Sequence, residues 1–236
     1  MQSPLISKIE LMDNFRSTPA IKATSDSIKH EDNIIENDHV RIIHCNNISE
    51  MLTTAIRQYE LNLCNQSTHI IAATTKTVSN LNKSIHELLM KGRKPIACSP
   101  QFRVGDKVIY KRNELKQLGV VNGSTGVVIG GDKSFIEVQF NQEGIVQIPQ
   151  SYITDDFKGE YLLQHAYAIT CHSAQGSEFD TVVVMVEDSR IVERSWLYTA
   201  LTRAKKKVIL ISMGSNIQTA LDRGFSFQNI SVGFEL

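Results

Sequence analysis

Paired cysteines are the first feature that the sequence lacks. None of its four cysteines stands in a C-x-x-C pair and no histidine pair has ligand spacing, so the pattern predicts no zinc site or other metal site. No apolar run approaches the roughly 20 residues of a membrane span, and the N-terminus has no basic-then-apolar signal pattern. We expect a soluble cytoplasmic protein without a membrane partner, with reduced cysteines. These are Cys45, Cys64, Cys98 and Cys171.

Net charge is also absent, because 25 basic residues balance 25 acidic ones. The total by itself therefore predicts no polyanionic partner. The distribution is uneven, however: residues 91–116 hold eight basic residues against only Asp106 and Glu114. This segment predicts a local basic surface, which is either a solvated face or a weak, salt-sensitive DNA-binding surface.

Strand and helix patterns alternate over most of the chain, and the 42% hydrophobic content is ample for a core. Such alternation predicts an α/β domain with a parallel sheet covered by helices. The predicted strands are 9–12, 40–44, 69–73, 166–170, 181–186 and 208–212. The first predicted helix begins after residue 19. The other predicted helices cover 48–63, 78–90, 191–202 and 216–223.

Residues 100–155 show a different pattern. Short β-branched runs at 107–110, 125–129, 135–140 and 145–148 are separated by hairpin signals such as Asn122-Gly123. This segment predicts a small antiparallel barrel or curled sheet that is inserted in the α/β domain. The predicted domains are therefore 1–99 and 156–236, as two parts of one α/β domain, and 100–155 as the insertion.

Two segments near the C-terminus carry the residues of chemical interest. Residues 167–180, YAITCHSAQGSEFD, form a bend at Gly176 that can serve a nucleotide on one side and a nucleic-acid backbone on the other. Residues 196–204, WLYTALTRA, place Arg203 at the rim of an apolar helix, where a guanidinium can stabilise charge on a transferring phosphoryl group. Trp196 and Tyr198 are predicted to be core residues at their helical spacing.

These segments resemble two signature motifs of superfamily 1 helicases, and others occur in the family's order. Residues 11–17, LMDNFRS, are similar to the motif after the first strand of the second motor domain, and 70–82 resemble the RecD-like branch. Residues 102–108 and 119–126 are similar to the SH3-like insertion of RecD-like and conjugative-relaxase helicases. The chain thus resembles the C-terminal motor half of a RecD-like superfamily 1 DNA helicase, a RecA-like parallel-sheet domain with an inserted SH3-like β-barrel.

The resemblance also implies roles for individual residues. Arg16 and Arg203 would reach the γ-phosphate of ATP, with Gln175 beside them as a third catalytic residue. Gly176 and Glu178 would bind the nucleotide, Glu178 at the ribose. The residues implied towards single-stranded DNA are Thr74, Thr75, Thr170, His172, Ser173 and Asn122, although Asn122 is also a simple turn-former.

A P-loop and an acidic Mg²⁺-binding pair, which ATP hydrolysis in this family requires, are not found in the sequence. Residues 126–134, GVVIGGDKS, imitate a P-loop but carry Asp132 and stand in a predicted hairpin. Residues 182–188, VVVMVED, imitate an acidic strand end, but their place after the bend at Gly176 indicates a structural strand. We expect the isolated chain not to hydrolyse ATP; ATP and Mg²⁺ would act only in the complete enzyme, with an N-terminal RecA-like P-loop domain on the same or a separate chain.

The sequence leaves three functions open. The first is the C-terminal half of an ATP-dependent DNA helicase that supplies arginine fingers and single-stranded DNA contacts for 5′–3′ translocation and unwinding in DNA repair or recombination. The second is the helicase module of a conjugative relaxase. The third is a stand-alone nucleic-acid-binding adaptor that has lost its motor, and a P-loop encoded in frame upstream would argue against it.

Overall fold

The computed structural model describes residues 17–30, 33–63, 67–155 and 160–223, without the side chains of Asp155 and Glu160. The predicted strand at 9–12, Arg16 and Cys64 lie outside this part. No helix within it is both long and apolar enough to cross a bilayer. The helices are α1 (Pro19–His30), α2 (Ile48–Leu61), α3 (Thr75–Leu89), α4 (Arg194–Leu201) and α5 (Asn216–Asp222).

The strands are β1 (Val40–Cys45), β2 (Thr68–Ala72), β3 (Pro95–Ile96), β4 (Ser99–Arg103), β5 (Lys107–Tyr110), β6 (Thr125–Gly131), β7 (Phe135–Phe140), β8 (Gly144–Pro149), β9 (Thr154–Asp155), β10 (Glu160–Tyr161), β11 (Leu163–His165), β12 (Ala168–Thr170), β13 (Phe179–Val186) and β14 (Ala204–Met213). Among the described residues, strands alternate with α-helices up to α3 and again from β13 onward, whereas β3 to β12 follow one another with no α-helix between them.

A five-stranded parallel sheet in the order β1-β14-β13-β2-β12 forms the centre of the molecule. Because successive strand residues point to opposite faces, Val182 and Val184 pack towards α1, α4 and α5, whereas Val183 and Met185 pack towards α2 and α3. Trp196 is buried in the first of these layers and Tyr198 is partly buried against it. The predicted parallel α/β core is therefore confirmed.

A second sheet is antiparallel, with the strand order β11-β5-β6-β7-β8 and a hydrophobic core of its own. The P-loop imitation lies in its β6–β7 hairpin, where a Cβ on Gly126 would meet the Gln139 carbonyl oxygen at 2.5 Å. Strand β11 joins this sheet from beyond residue 155. The assignment as an SH3-like barrel, like the domain boundaries, stays a prediction.

Because the strands of the central sheet are parallel, their carboxyl ends lie along one edge of the sheet and their amino ends along the opposite edge. Thr170, which pairs with Ala72, lies at the carboxyl ends of β12 and β2. Phe179, which pairs with Ala204, lies at the amino ends of β13 and β14. Residues 171–178 connect β12 to β13 and therefore run from the carboxyl edge of the sheet to its amino edge.

Candidate functional site

A groove of about 1200 Å³ lies between α3 and the antiparallel sheet, at the carboxyl edge of the parallel sheet. Three of the predicted DNA-binding residues, Thr75, Thr170 and Ser173, line it. Its charged lining is mostly basic, with Glu87 as the acidic member. The basic residues are Lys76, Lys83, Arg103, Lys111 and Arg112.

The hydroxyl groups at the end of β12 are fixed by hydrogen bonds. The Thr170 hydroxyl donates to Ser173 Oγ at 2.9 Å, and the Ser173 backbone N–H donates to Thr170 Oγ1 at 3.2 Å. Lys111 Nζ, at the end of the antiparallel sheet's β5, donates to the same Ser173 Oγ at 2.9 Å. Partial burial lowers the pKa of Lys111 from its usual value. The second sheet thus holds the start of the 171–178 loop directly.

Thr74 and its neighbours form the beginning of α3. Thr74 is the N-cap, and its hydroxyl oxygen accepts the Thr77 backbone N–H at 3.2 Å. Glu187, directly after β13, accepts the N–H groups of Ala73 at 2.6 Å and Thr74 at 3.3 Å, as well as the Thr77 hydroxyl. Thr74 therefore has a structural role here, and the structural interpretation of the Glu187 segment agrees with these contacts.

A smaller cleft of about 210 Å³ lies between the antiparallel sheet and the other half of the 171–178 loop. Gln175, Gly176 and Glu178 line it together with Asn122, so Asn122 lies with the predicted nucleotide residues and not in the large groove. Gly176 has φ +83°, which favours glycine, and it allows the tight bend that the sequence predicts. His172 is exposed on the same loop.

Arg203 lies directly before β14, at the amino edge of the sheet. Its guanidinium donates to the carbonyl oxygens of Thr199 at 3.2 Å and Ser177 at 3.5 Å, and to the Thr202 hydroxyl at 3.4 Å. Within the part of the chain that the structure describes, no carboxylate neutralises it. Nearby Glu178 forms an ion pair with Lys205 at 3.3 Å.

The segment that follows Arg16 lies at this edge as well. The Ser17 hydroxyl donates to the Ala204 carbonyl oxygen at 2.7 Å, and the Thr18 N–H donates to the Lys205 carbonyl oxygen at 3.1 Å. Both acceptors follow Arg203 directly along the chain. The predicted motifs at residues 11–17 and 196–204 therefore meet at their described ends.

A buried histidine–aspartate cluster joins α3 to the antiparallel sheet, and the sequence analysis missed it. Asp106, fully buried, accepts hydrogen bonds from the Tyr167 hydroxyl, from the Arg103 N–H at 2.6 Å and from His86 Nδ1 at 2.8 Å. Burial alone would raise the pKa of Asp106, but its neighbours, among them His165 and Tyr167, lower it below the usual value.

Three residues of this cluster, His86, Asp106 and His165, bring potential metal ligands within 4.8 Å of one another. Arg103 Nη1 lies 2.9 Å from His86 Nε2, and a guanidinium can only donate, so Nε2 accepts and Nδ1 carries the proton given to Asp106. Neither nitrogen of this His86 tautomer has a lone pair free for a metal ion. The arrangement is that of a structural hydrogen-bond network.

Lys107 is a second residue whose position differs from the sequence expectation. It belongs to the basic segment 91–116, but its ammonium group is largely buried, donates to the Thr68 carbonyl oxygen at 2.7 Å and lies 5.2 Å from the centre of the Tyr59 ring. Burial lowers the pKa of Lys107 to about 8. Lys107 therefore does not contribute to the basic surface, because the fold uses it at the junction of the two sheets.

The sequence of this chain is similar to those of known helicases. Residues 165–211 match the UvrD-like helicase C-terminal domain. The chain is 35% identical over 108 residues to the RecBCD enzyme subunit RecD of Mycobacterium tuberculosis, covering 45% of this chain and 18% of that protein. It is 27% identical over 158 residues to the ATP-dependent RecD2 DNA helicase of Deinococcus radiodurans, covering 66% of this chain and 21% of that protein.

Similarity of fold extends further along the chain than these sequence matches. A Pif1 helicase from Bacteroides, solved in complex with ADP-AlF3 and single-stranded DNA, superposes with a TM-score of 0.59 at 20% identity, covering 89% of this chain and 53% of that one. The chain spans about a fifth of the curated relatives described above. The chain is thus similar to the UvrD-like helicase C-terminal domain over residues 165–211, and its fold is similar to that of a Pif1 helicase over most of its length. The predicted resemblance to the C-terminal motor half of RecD-like helicases is confirmed.

Proposed function

We propose that this chain is the C-terminal motor half of an ATP-dependent DNA helicase, in which it supplies arginine fingers and single-stranded DNA contacts. The observation that carries the proposal is the path of residues 171–178. This loop starts at the basic groove beside Thr170 and ends at the amino edge beside Arg203. A displacement at either end can therefore reach the other through one short segment, as the coupling of ATP hydrolysis to translocation requires.

The amino edge would form one side of the ATP site. Arg203 has carbonyl and hydroxyl partners, so its charge remains available for a γ-phosphate. Arg16 would act beside it, since Ser17 bonds to the Ala204 carbonyl oxygen. Gln175 and Gly176 would border the phosphates. Glu178 would break its ion pair with Lys205 and bind the ribose instead. An N-terminal RecA-like domain would contribute the P-loop and the Mg²⁺ ligands.

The groove between α3 and the antiparallel sheet would hold the DNA. Its basic side chains suit a phosphate backbone, and the hydroxyls of Thr75, Thr170 and Ser173 offer further hydrogen bonds to phosphate oxygens. His172 is exposed on the connecting loop and would add a contact where the DNA strand leaves the groove. The antiparallel sheet would act as an SH3-like wall of this path. We further propose 5′–3′ translocation and a role in DNA repair or recombination.

The test joins the chain to the P-loop domain encoded upstream in the same frame or, if none is encoded there, to that of a RecD-like relative. We expect hydrolysis of ATP that single-stranded DNA stimulates. Arg203→Lys should lower this rate by about 10³–10⁵, the range of arginine fingers in related enzymes, because an ammonium group cannot replace the planar guanidinium.

The control is Arg41→Lys, which changes an exposed arginine on the edge strand β1 and should leave the rate near wild type. Melting curves of both variants should lie close to that of the parent, since Arg203 belongs to none of the hydrophobic clusters of the described residues. A near-normal rate for Arg203→Lys would remove its role at ATP. DNA binding without hydrolysis in every fusion would instead favour an adaptor.

A further inference from the structure

Tyr161 is an aromatic side chain in the basic groove, and the proposed function assigns it no role. It belongs to the short strand β10, lines the groove, and is 49% exposed. The next residue, Leu162, is buried in the core of the antiparallel sheet, so the two side chains point in different directions. Gln164 Nε2 donates to the Tyr161 carbonyl oxygen at 2.9 Å and fixes the backbone of this segment. The hydrogen-bonded backbone of this segment thus keeps the Tyr161 ring exposed to the groove.

The neighbours of Tyr161 are an ammonium group and hydroxyl groups, which are of the kinds that bind phosphates. The Lys111 backbone N–H donates to the Leu162 carbonyl oxygen at 2.8 Å, which places Lys111 beside the segment that carries the ring. The Lys111 ammonium group reaches Ser173 Oγ. The aromatic ring, the ammonium group and the Thr170–Ser173 hydroxyl pair therefore all line the same groove.

We propose that Tyr161 is a base-stacking residue, and that through it the groove selects single-stranded over duplex DNA. An unpaired strand can turn a base towards the ring while its phosphates remain on Lys111 and the hydroxyls. In a duplex both faces of each base are already stacked, so the ring finds no partner. Stacking needs a π-face but no particular base, so the contact adds affinity without sequence preference. This inference rests on the proposed function, since it assumes that the groove holds DNA.

The experiment measures binding of the 236-residue chain to labelled oligothymidine, to an abasic oligonucleotide of equal length and to a duplex. Tyr161→Ala should weaken oligothymidine binding roughly tenfold, within the effect of alanine substitution on one stacked base. It should leave abasic and duplex binding unchanged, because these ligands meet the groove through phosphates. Tyr161→Phe should bind like wild type, since the phenyl ring keeps the π-face.

Ile145→Ala is the matched control, because Ile145 is 59% exposed on β8, does not line the groove, and should change no affinity. Equal losses on oligothymidine and abasic DNA, or no loss on either, would overturn the stacking role and leave the groove's phosphate contacts standing. If the wild type bound neither oligothymidine nor the abasic oligonucleotide, both this inference and the DNA function proposed for the groove would be overturned. Unchanged melting temperatures of the two Tyr161 variants would show that any loss is not one of folding.

Discussion

At the scale of single residues, Lys107 shows how this fold uses a charged side chain as a structural group. Its ammonium group is held by one carbonyl oxygen and one aromatic ring, and burial lowers its pKa to about 8. An exposed lysine titrates near 10.4. The unfolded chain therefore binds more protons between these two pH values than the folded chain does. The contribution of Lys107 to the free energy of unfolding must therefore rise with pH in this window. This contribution is lowest below pH 8.

We predict that Lys107→Met removes this pH dependence. Relative to the variant, wild type should gain about 2–3 kcal/mol of unfolding free energy between pH 7 and pH 10.5, because a tenfold change in a proton's binding constant corresponds to about 1.4 kcal/mol. Urea unfolding of both proteins at several pH values measures the difference. Lys116→Met, at an exposed lysine, should follow the wild-type profile. Parallel profiles for Lys107→Met and wild type would show that the ammonium group is not desolvated.

At the scale of elements, Glu187 joins the end of β13 to the start of α3. Its carboxylate accepts two backbone N–H groups at the helix N-terminus and the Thr77 hydroxyl. A carboxylate at this end also interacts favourably with the helix dipole. Because α3 forms one wall of the basic groove, this contact would set the width of the proposed DNA path.

Replacing Glu187 with alanine should destabilise the protein by about 1–3 kcal/mol, because buried N–H groups lose their acceptor. Asp188→Ala is the matched control: the next residue is also acidic, but its side chain is 74% exposed and lies 3.9 Å from Arg223, so its loss should cost well under 1 kcal/mol. Thermal or urea unfolding measures both. Equal costs for the two substitutions would mean that Glu187 contributes only surface charge.

At the scale of the whole molecule, a neutral chain presents a basic groove because folding sorts its charges. The groove draws basic residues from α3 and from the antiparallel sheet, and Glu87 is the acidic residue among its lining. Two acidic side chains outside the groove lining, Asp106 and Glu187, are buried and accept internal hydrogen bonds. The local charge therefore supports DNA binding that the net charge of zero does not predict.

Binding of oligothymidine should accordingly weaken as salt rises, since phosphate contacts release counterions. The slope of log K against log salt is about −0.7 per contact for single strands, so Lys111→Ala should make it shallower by about 0.7. Lys133→Ala, at an exposed lysine between β6 and β7, should not change it. Titrations at several salt concentrations measure the slopes. An affinity that does not depend on salt would remove the electrostatic account of the groove.

The sequence by itself determined the parallel α/β core, the hairpins of the antiparallel sheet and the bend at Gly176. These features follow from local patterns: alternation of apolar residues, turn residues between short runs, and a position that favours glycine. The two C-terminal motifs can also be recognised in the sequence, because each is continuous along the chain. Burial of Trp196 also followed from helical spacing.

Only the tertiary structure decided which polar side chains meet. Asp106 and Tyr167 are separated by 61 residues, Lys111 and Ser173 by 62, and Thr77 and Glu187 by 110. Polar pairs of this kind have no periodicity, so nothing near either residue in the sequence indicates its partner. The same applies to the buried charge of Lys107 and the open ring of Tyr161, whose surroundings come from the packing of the two sheets. Local patterns fix the elements, and the burial of their apolar faces fixes the contacts between them.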